Sequence, residues 1–218
     1  MLLGVPTLNR YDLLERLIGS AERGSERPTG YFVVDNGGRW AVPAALSALH
    51  MEILRPAQNL GVAASWNRIL DRAGSDPVLI SNDDIEFGMD TVCLLLQALG
   101  REPFASALGF AIFAQKRSVT DRVGFYDEHF FPAYYEDNDY EHRMALAKIR
   151  RVNVQSMGLS HVGWATSRAL GMRGHHDWYA RNLKYYTEKW GGPPGGERFD
   201  APFDGSPPSG WTERVVVP

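Results

Sequence analysis

The chain has 218 residues with 44% hydrophobic and 22% charged side chains, an ordinary composition for a globular protein. Its formal charge is −3, which argues against a protein that coats nucleic acid, although a local basic groove remains compatible with it. Cys93 is the single cysteine, so no disulfide can form within the chain, which fits a reducing compartment.

In chain order, Leu2–Val5 is a short apolar run closed by Pro6 and reads as a buried strand. Tyr11–Ala21 places Tyr11, Leu14, Leu17, Ile18 and Ala21 on one helical face. Tyr31–Val34 is a second strand, stopped by Asp35-Asn36-Gly37-Gly38. Val42–Leu49 reads as a short helix, and Met51–Leu54 as a third strand ended by Pro56. Val62–Ala73 is a helix with Ala63, Trp66, Ile69 and Leu70 on one side, Pro77–Ile80 a fourth strand, and Thr91–Leu99 a further helix. Strands that alternate with helices predict an α/β fold with a parallel sheet. In such sheets ligands bind beyond the carboxyl ends of the strands. The polar clusters Thr7-Leu8-Asn9-Arg10, Asp35-Asn36 and Asn82-Asp83-Asp84 fall there.

The second half breaks this rhythm. Ala107–Phe113 reads as a strand, Asp137–Ala147 as a helix, Val152–Gln155 as a short strand and Tyr179–Trp190 as an aromatic-rich helix. Residues 191–218 are rich in Gly and Pro and read as a tail, wrapped on or trailing from a single domain spanning residues 1–190. The N-terminus lacks a basic region before its apolar residues, so no signal peptide is expected. The longest mostly apolar stretch, Phe104 to Ala114, is far below the roughly 20 residues that span a bilayer. A cytoplasmic protein is expected, with peripheral membrane contact left open, and the oligomeric state is not legible.

Three constellations carry chemistry. Asn82-Asp83-Asp84 follows a strand, where a carboxylate can hold a hard divalent cation against a diphosphate. By itself this is more often a polar turn that caps a helix. Tyr134–Arg143 packs Glu136, Asp137, Asp139 and Glu141 between aromatic residues at a helix start. A carboxylate there can take a proton from a hydroxyl, or can serve as an acidic cap on a solvated helix face. Ser160-His161-Val162-Gly163-Trp164 offers a histidine for a metal, a role that depends on the other two clusters.

The motifs Val5–Arg10, Val33–Gly37, Asn59–Asn67, Ser81–Asp84, Tyr135–Asp139 and Ser160-His161, in that order, resemble family 2 glycosyltransferases of the GT-A fold. Within that family they look most like the rhamnosyl- and galactofuranosyltransferase branch. The resemblance covers residues 2 to 165, with weaker similarity at Tyr185–Gly191. It implies a mostly parallel central sheet flanked by helices and an inverting, metal-assisted transfer of one sugar from a nucleoside-diphosphate donor. Pro6, Thr7 and Asn9 would then line the base and ribose pocket, with Arg10 near the phosphates. Asp35 would bond the nucleobase. Asn59, Gly61 and Asn67 would shape the floor. Asn82 would sit at the ribose, and Asp83 would join the donor-binding residues. Asp84 and His161 would hold the cation, Mn2+ or Mg2+. Asp137 would be the base, with Glu136 beside it orienting sugar or acceptor. The family's metal motif often begins with Asp, and here Asn82 removes one charge.

The resemblance favours a UDP- or dTDP-sugar donor and leaves a glycan, a protein or a modified nucleic-acid base as acceptor. Two other classes stand beside it. A sugar nucleotidyltransferase would carry a glycine-rich phosphate loop where Pro6-Thr7-Leu8-Asn9-Arg10 stands. A non-catalytic sugar-nucleotide or glycan-binding module would not need Asp84, Asp137 and His161. Gly171–Trp178 reads equally as a mobile flap or as a helix start, Trp164 as a packing residue or an acceptor platform, and the stripe Trp178, Tyr179, Leu183, Tyr186, Trp190 as core.

Overall fold

A computed structural model describes residues 1–161 and 172–211, and for residues 172–176 only the backbone. Val162, Gly163 and Trp164, and most of the Gly171–Trp178 segment, lie outside the described side chains. The strands are β1 (Leu2–Thr7), β2 (Gly30–Asp35), β3 (Met51–Leu54), β4 (Val78–Ser81), β5 (Ile85–Glu86), β6 (Phe104–Ser106), β7 (Ile112–Gln115), β8 (Arg151–Asn153) and β9 (Ser160–His161). The helices are α1 (Tyr11–Glu22), α2 (Gly61–Ala73), α3 (Thr91–Leu99), α4 (Arg117–Val123), α5 (Glu136–Leu146) and α6 (Met172–Trp190).

Among the described residues, seven strands form one sheet in the order β3-β2-β1-β4-β7-β6-β8. β1 is parallel to β2 and β4, β2 to β3, and β6 to β8, whereas β7 runs antiparallel to both β4 and β6. Successive strand residues point to opposite faces, so each strand feeds two cores. Leu3, Val5, Tyr31, Val33 and Leu79 pack with Leu14, Leu17 and Ile18 of α1 and Val92 and Leu95 of α3. Phe32, Val34, Val78 and Ile80 pack with Trp66, Ile69 and Leu70 of α2 and Tyr140 and Met144 of α5. The sheet is therefore buried on both faces, the condition of a parallel α/β sheet.

Two expected elements differ. Residues 42–49 make only a single 3-10 turn, Ala44–Leu46, with no buried residue. Only Leu46 and Leu49 pack, partly buried, against the core, too little apolar contact to stabilise a longer helix. Residues 107–113 are not one strand: the chain leaves the sheet after Ser106 and re-enters at Ile112. Gly109 has φ +57°, a left-handed conformation that interrupts extended backbone. The loop so formed lines the cavity described below.

The last helix, α6, is longer than its aromatic stripe indicated, and the chain after it turns back. The N–H groups of Arg198 and Phe199 donate to the Trp190 carbonyl at 2.9 and 3.2 Å. Trp211 Nε1 donates to the Tyr185 hydroxyl at 2.8 Å. Residues 191–211 are thus wrapped on α6 rather than trailing from it. No helix among the described residues is long and apolar enough to cross a membrane.

Candidate active site

The carboxyl ends of β1, β2 and β4, the start of α2, the 108–111 loop and the start of α5 surround one cavity of about 530 Å³. Pro6, Thr7, Asn59, Gly61, Asn82, Asp83, Asp84, Glu136, Asp137 and His161 all line it. Residues from five separate sequence motifs therefore meet in one place, which chance placement of polar turns would not produce.

Asp83 and Asp84 follow β4 and share a single turn but differ in partner. Asp83 accepts a 2.7 Å hydrogen bond from the Thr7 hydroxyl. Burial, opposed by that bond and reinforced by the Asp84 charge, pushes the Asp83 carboxyl up to about 7. Asp84 instead faces His161, with Oδ1 3.1 Å from Nε2. The two are brought together because β5, one residue past Asp84, pairs antiparallel with β9, which carries His161. The hydrogen bond to Asp84 raises the His161 pKa above its ordinary value.

Gly61 opens α2 with φ +75°. A Cβ there would come within 2.7 Å of the Pro132 carbonyl oxygen and 2.9 Å of the Phe131 ring. Glycine is therefore demanded twice, by conformation and by close approach. Val62 N–H donates to the same Pro132 carbonyl at 2.8 Å. The seam joins the first half of the chain to the loop that leads into α5. Asn36, read from the sequence only as part of the polar cluster after β2, braces the seam: its Oδ1 accepts from Leu60 N–H at 2.9 Å and its Nδ2 donates to Ser65 Oγ at 3.0 Å.

α5 begins at the far end of this loop. Glu136 is 6% exposed, and its Oε2 is buried without a hydrogen-bond partner among the described residues. Burial, with the neighbouring Asp137 charge, drives its carboxyl well above the usual range. Burial also raises Asp137, against the Asn138 N–H that donates to its Oδ1 at 2.8 Å. The helix N-terminus favours the anion, but it does not outweigh the loss of water here. A carboxyl poised above its ordinary range suits proton abstraction near neutrality.

Four sequence-predicted site residues do not line the cavity. The Asp35 carboxylate is fully buried and accepts from the Tyr11 hydroxyl, Gly38 N–H and Trp40 N–H, each at 2.9 Å. It fixes the turn after β2. Asn67 is also fully buried. It donates to the Tyr126 carbonyl and to Glu128 and accepts from Tyr126 N–H, so it ties α2 to the loop after α4. Asn9 accepts from Arg39 at 3.1 Å, and Arg10 pairs with Asp12 at 3.2 Å. Sequence reading also missed Trp66, Phe110 and Tyr179 as cavity residues. Tyr179 belongs to a stripe whose spacing matches core packing, and nothing in that spacing reveals that it faces open space.

Comparison with known proteins agrees with this geometry. Residues 3–159 match the family described as Glycosyl transferase family 2. Over 109 residues the chain is 30% identical to N-acetylglucosaminyl-diphospho-decaprenol L-rhamnosyltransferase of Mycobacterium tuberculosis strains H37Rv and CDC 1551, covering 44% of this chain. The match spans 36% of those relatives' length. Among solved structures, mannosyltransferase PcManGT from Pyrobaculum calidifontis, in complex with GDP-Man and Mn2+, superposes with a TM-score of 0.63. It has 17% sequence identity, over 79% of this chain and 60% of that one. S. aureus TarS 1–349 gives 0.57 at 13% identity, over 72% and 58%. At these identities the two structures speak for the fold alone.

Proposed function

The chain belongs to glycosyl transferase family 2 and has its GT-A fold, and from that premise we propose that it moves one sugar, with inversion, from a nucleoside-diphosphate sugar to an acceptor hydroxyl. The observation that carries this reading is the shared cavity: a buried carboxyl at the start of α5 and an Asp84–His161 pair line the same 530 Å³ space.

The residues suit a divalent cation. A carboxylate and an imidazole 3.1 Å apart supply hard and intermediate donors of the kind Mn2+ accepts. Among the described residues no third His, Cys, Asp or Glu completes a protein cage. Diphosphate oxygens and water would complete the coordination of a cation that works on a substrate. When bound, the cation supplies charge neutralisation for the departing diphosphate.

The chain's own residues do the rest. Thr7, Pro6, Asn59 and Asn82 border the part of the cavity nearest the strand ends and would hold the nucleotide. Asp137 takes the proton of the acceptor hydroxyl as its oxygen attacks the anomeric carbon. The bond from that carbon to the diphosphate oxygen breaks on the opposite face, and nucleoside diphosphate leaves. Glu136, beside the base, holds a sugar or acceptor hydroxyl. The donor we favour is a UDP- or dTDP-sugar, from the likeness to the rhamnosyltransferases.

Calorimetry with UDP, dTDP and GDP, with and without Mn2+, tests the donor site, and a hydrolysis screen over their sugars follows it. We expect one nucleotide to bind with the cation and to be lost in chelator. Equal affinity in chelator would remove Asp84 and His161 from the proposal.

A further inference from the structure

The described surface carries few large exposed apolar side chains, and three of them gather at one edge of the cavity. Leu108 and Tyr179 both line it, and Tyr179 is 46% exposed. Phe131, 41% exposed, precedes the lining residue Pro132 and rests its ring where Gly61 has no side chain. Tyr134 and Tyr135 complete the edge. Their rings lie 5.6 and 5.0 Å from that of Tyr179, at interplanar angles of 67° and 54°.

This edge is held in an uncommon backbone. Tyr134 and Tyr135 have φ of +80° and +73°, two successive non-glycine residues in the left-handed region. Such conformations persist only where surrounding structure enforces them, and they cluster at ligand sites. The enforcement is visible. Asn182 of α6, almost fully buried, donates from Nδ2 to the Ala133 carbonyl at 2.9 Å, and Arg181 donates to the Phe131 carbonyl. Burial and a hydrogen bond with Tyr179 raise the Tyr135 hydroxyl pKa. At the foot of the same edge Glu136 keeps a buried carboxyl oxygen without a partner among the described residues.

Resting on the transferase reading above, we propose that Tyr134, Tyr135, Tyr179 and Phe131, with Glu136 at their foot, form the acceptor subsite, and that the acceptor presents a pyranose ring there. A pyranose has an apolar face of C–H bonds edged by hydroxyls. Aromatic faces cover the first, and tyrosine hydroxyls and the Glu136 carboxyl meet the second. A bare lipid would use long aliphatic side chains, whereas the exposed large side chains described on this edge are mostly aromatic. An extended peptide would need main-chain partners, and α6 already takes the Phe131 and Ala133 carbonyls. The tyrosine edge adjoins Asp137, as a ring whose hydroxyl is to be deprotonated requires.

The test compares acceptors and variants in the full chain, with the donor that the parent hydrolyses. p-Nitrophenyl pyranosides should accept the sugar, while dodecyl phosphate and a Ser/Thr peptide should not. Tyr179→Ala should raise the pyranoside KM about tenfold, and Tyr179→Phe, which keeps the ring, should stay within about threefold of the parent. Thermal melts of both variants should stay within about 2 °C of the parent, which separates a lost subsite from a lost fold. An unchanged KM in Tyr179→Ala overturns the proposal. So does transfer to peptide or dodecyl phosphate but to no pyranoside, in a protein that still hydrolyses its donor. A parent that neither binds nor hydrolyses any sugar nucleotide overturns the transferase reading, and the acceptor site with it.

Discussion

The first turn of α5 holds three carboxyl groups within four residues, and its two faces treat them in opposite ways. Asp139 faces inward and is fully buried, yet it is held by Arg143 Nη2 at 2.8 Å, Lys189 Nζ at 2.6 Å and Trp190 Nε1 at 2.9 Å. Burial alone would raise its carboxyl, but the Arg143 and Lys189 charges overcome that and hold it below the ordinary range. Lys189 also pairs with Asp127 at 2.7 Å, which joins α6 to the loop before α5. Glu136 and Asp137 face the cavity and form no ion pair among the described residues, and burial raises both. Depth does not distinguish the two faces. The presence of a partner does: a paired buried acid is a structural tie, whereas an unpaired one beside a cavity is free to bind or to take a proton.

The sharpest way to break this comparison is at Asp137. Asp137→Asn keeps size and hydrogen-bonding shape but cannot accept the proton. Turnover should fall by roughly 10²–10⁴-fold. Nucleotide affinity measured by calorimetry should stay within a few-fold, because the base acts in the chemical step alone. If Asp139→Asn abolished turnover of a well-folded protein while Asp137→Asn spared it, the two faces would have been assigned the wrong way round.

The opposite change is expected at Asp139. Asp139→Asn leaves the buried Arg143 and Lys189 poorly compensated, and breaking a buried pair costs about 3–5 kcal/mol. Denaturant melts should show that loss, and any protein that folds should retain nucleotide binding. The pH dependence has the matching sign. A depressed carboxyl such as Asp139 contributes stability above its unfolded pKa, and that contribution is lost as pH falls through the lower folded value. Acid should therefore unfold the parent through α5 and α6, and that acid-dependent part should be missing in Asp139→Asn.

A smaller effect is expected at Glu136. Its folded pKa is raised, so its contribution is present at low pH and lost as pH rises through the folded value. Glu136→Gln mimics the protonated acid. Its melting temperature should match the parent's within about 2 °C in mild acid and exceed it as pH rises. A melting temperature that fell at every pH would make Glu136 another structural tie.

Much of the sheet was legible beforehand. β1, β2, β3 and β4 are apolar runs closed by proline, glycine or polar turns, so their positions follow from local chemistry. β5 and β9 escape such reading because two residues have no period, and their pairing depends on a partner 74 or more residues away. The 107–113 run looked like one strand because its side chains are apolar, whereas Gly109 turns the chain out of the sheet. α4, at seven residues, is too short to show a face.

The sequence by itself determined which groups could do chemistry and that several would lie past the ends of parallel strands. Those facts depend on residue type and on order along the chain. Tertiary structure decided which of these groups share a cavity, and which are turned inward and engaged. Asp35 and Asn67 are as polar as Asn59 and Asn82, but packing directs their side chains into turns and seams. It also decided that Tyr179 leaves the stripe of core aromatics for the cavity edge, and that Asp139 meets two cations while Glu136 meets none among the described residues. Charge state and availability follow from neighbours brought in from distant parts of the chain, and helical spacing is the same whichever neighbours arrive.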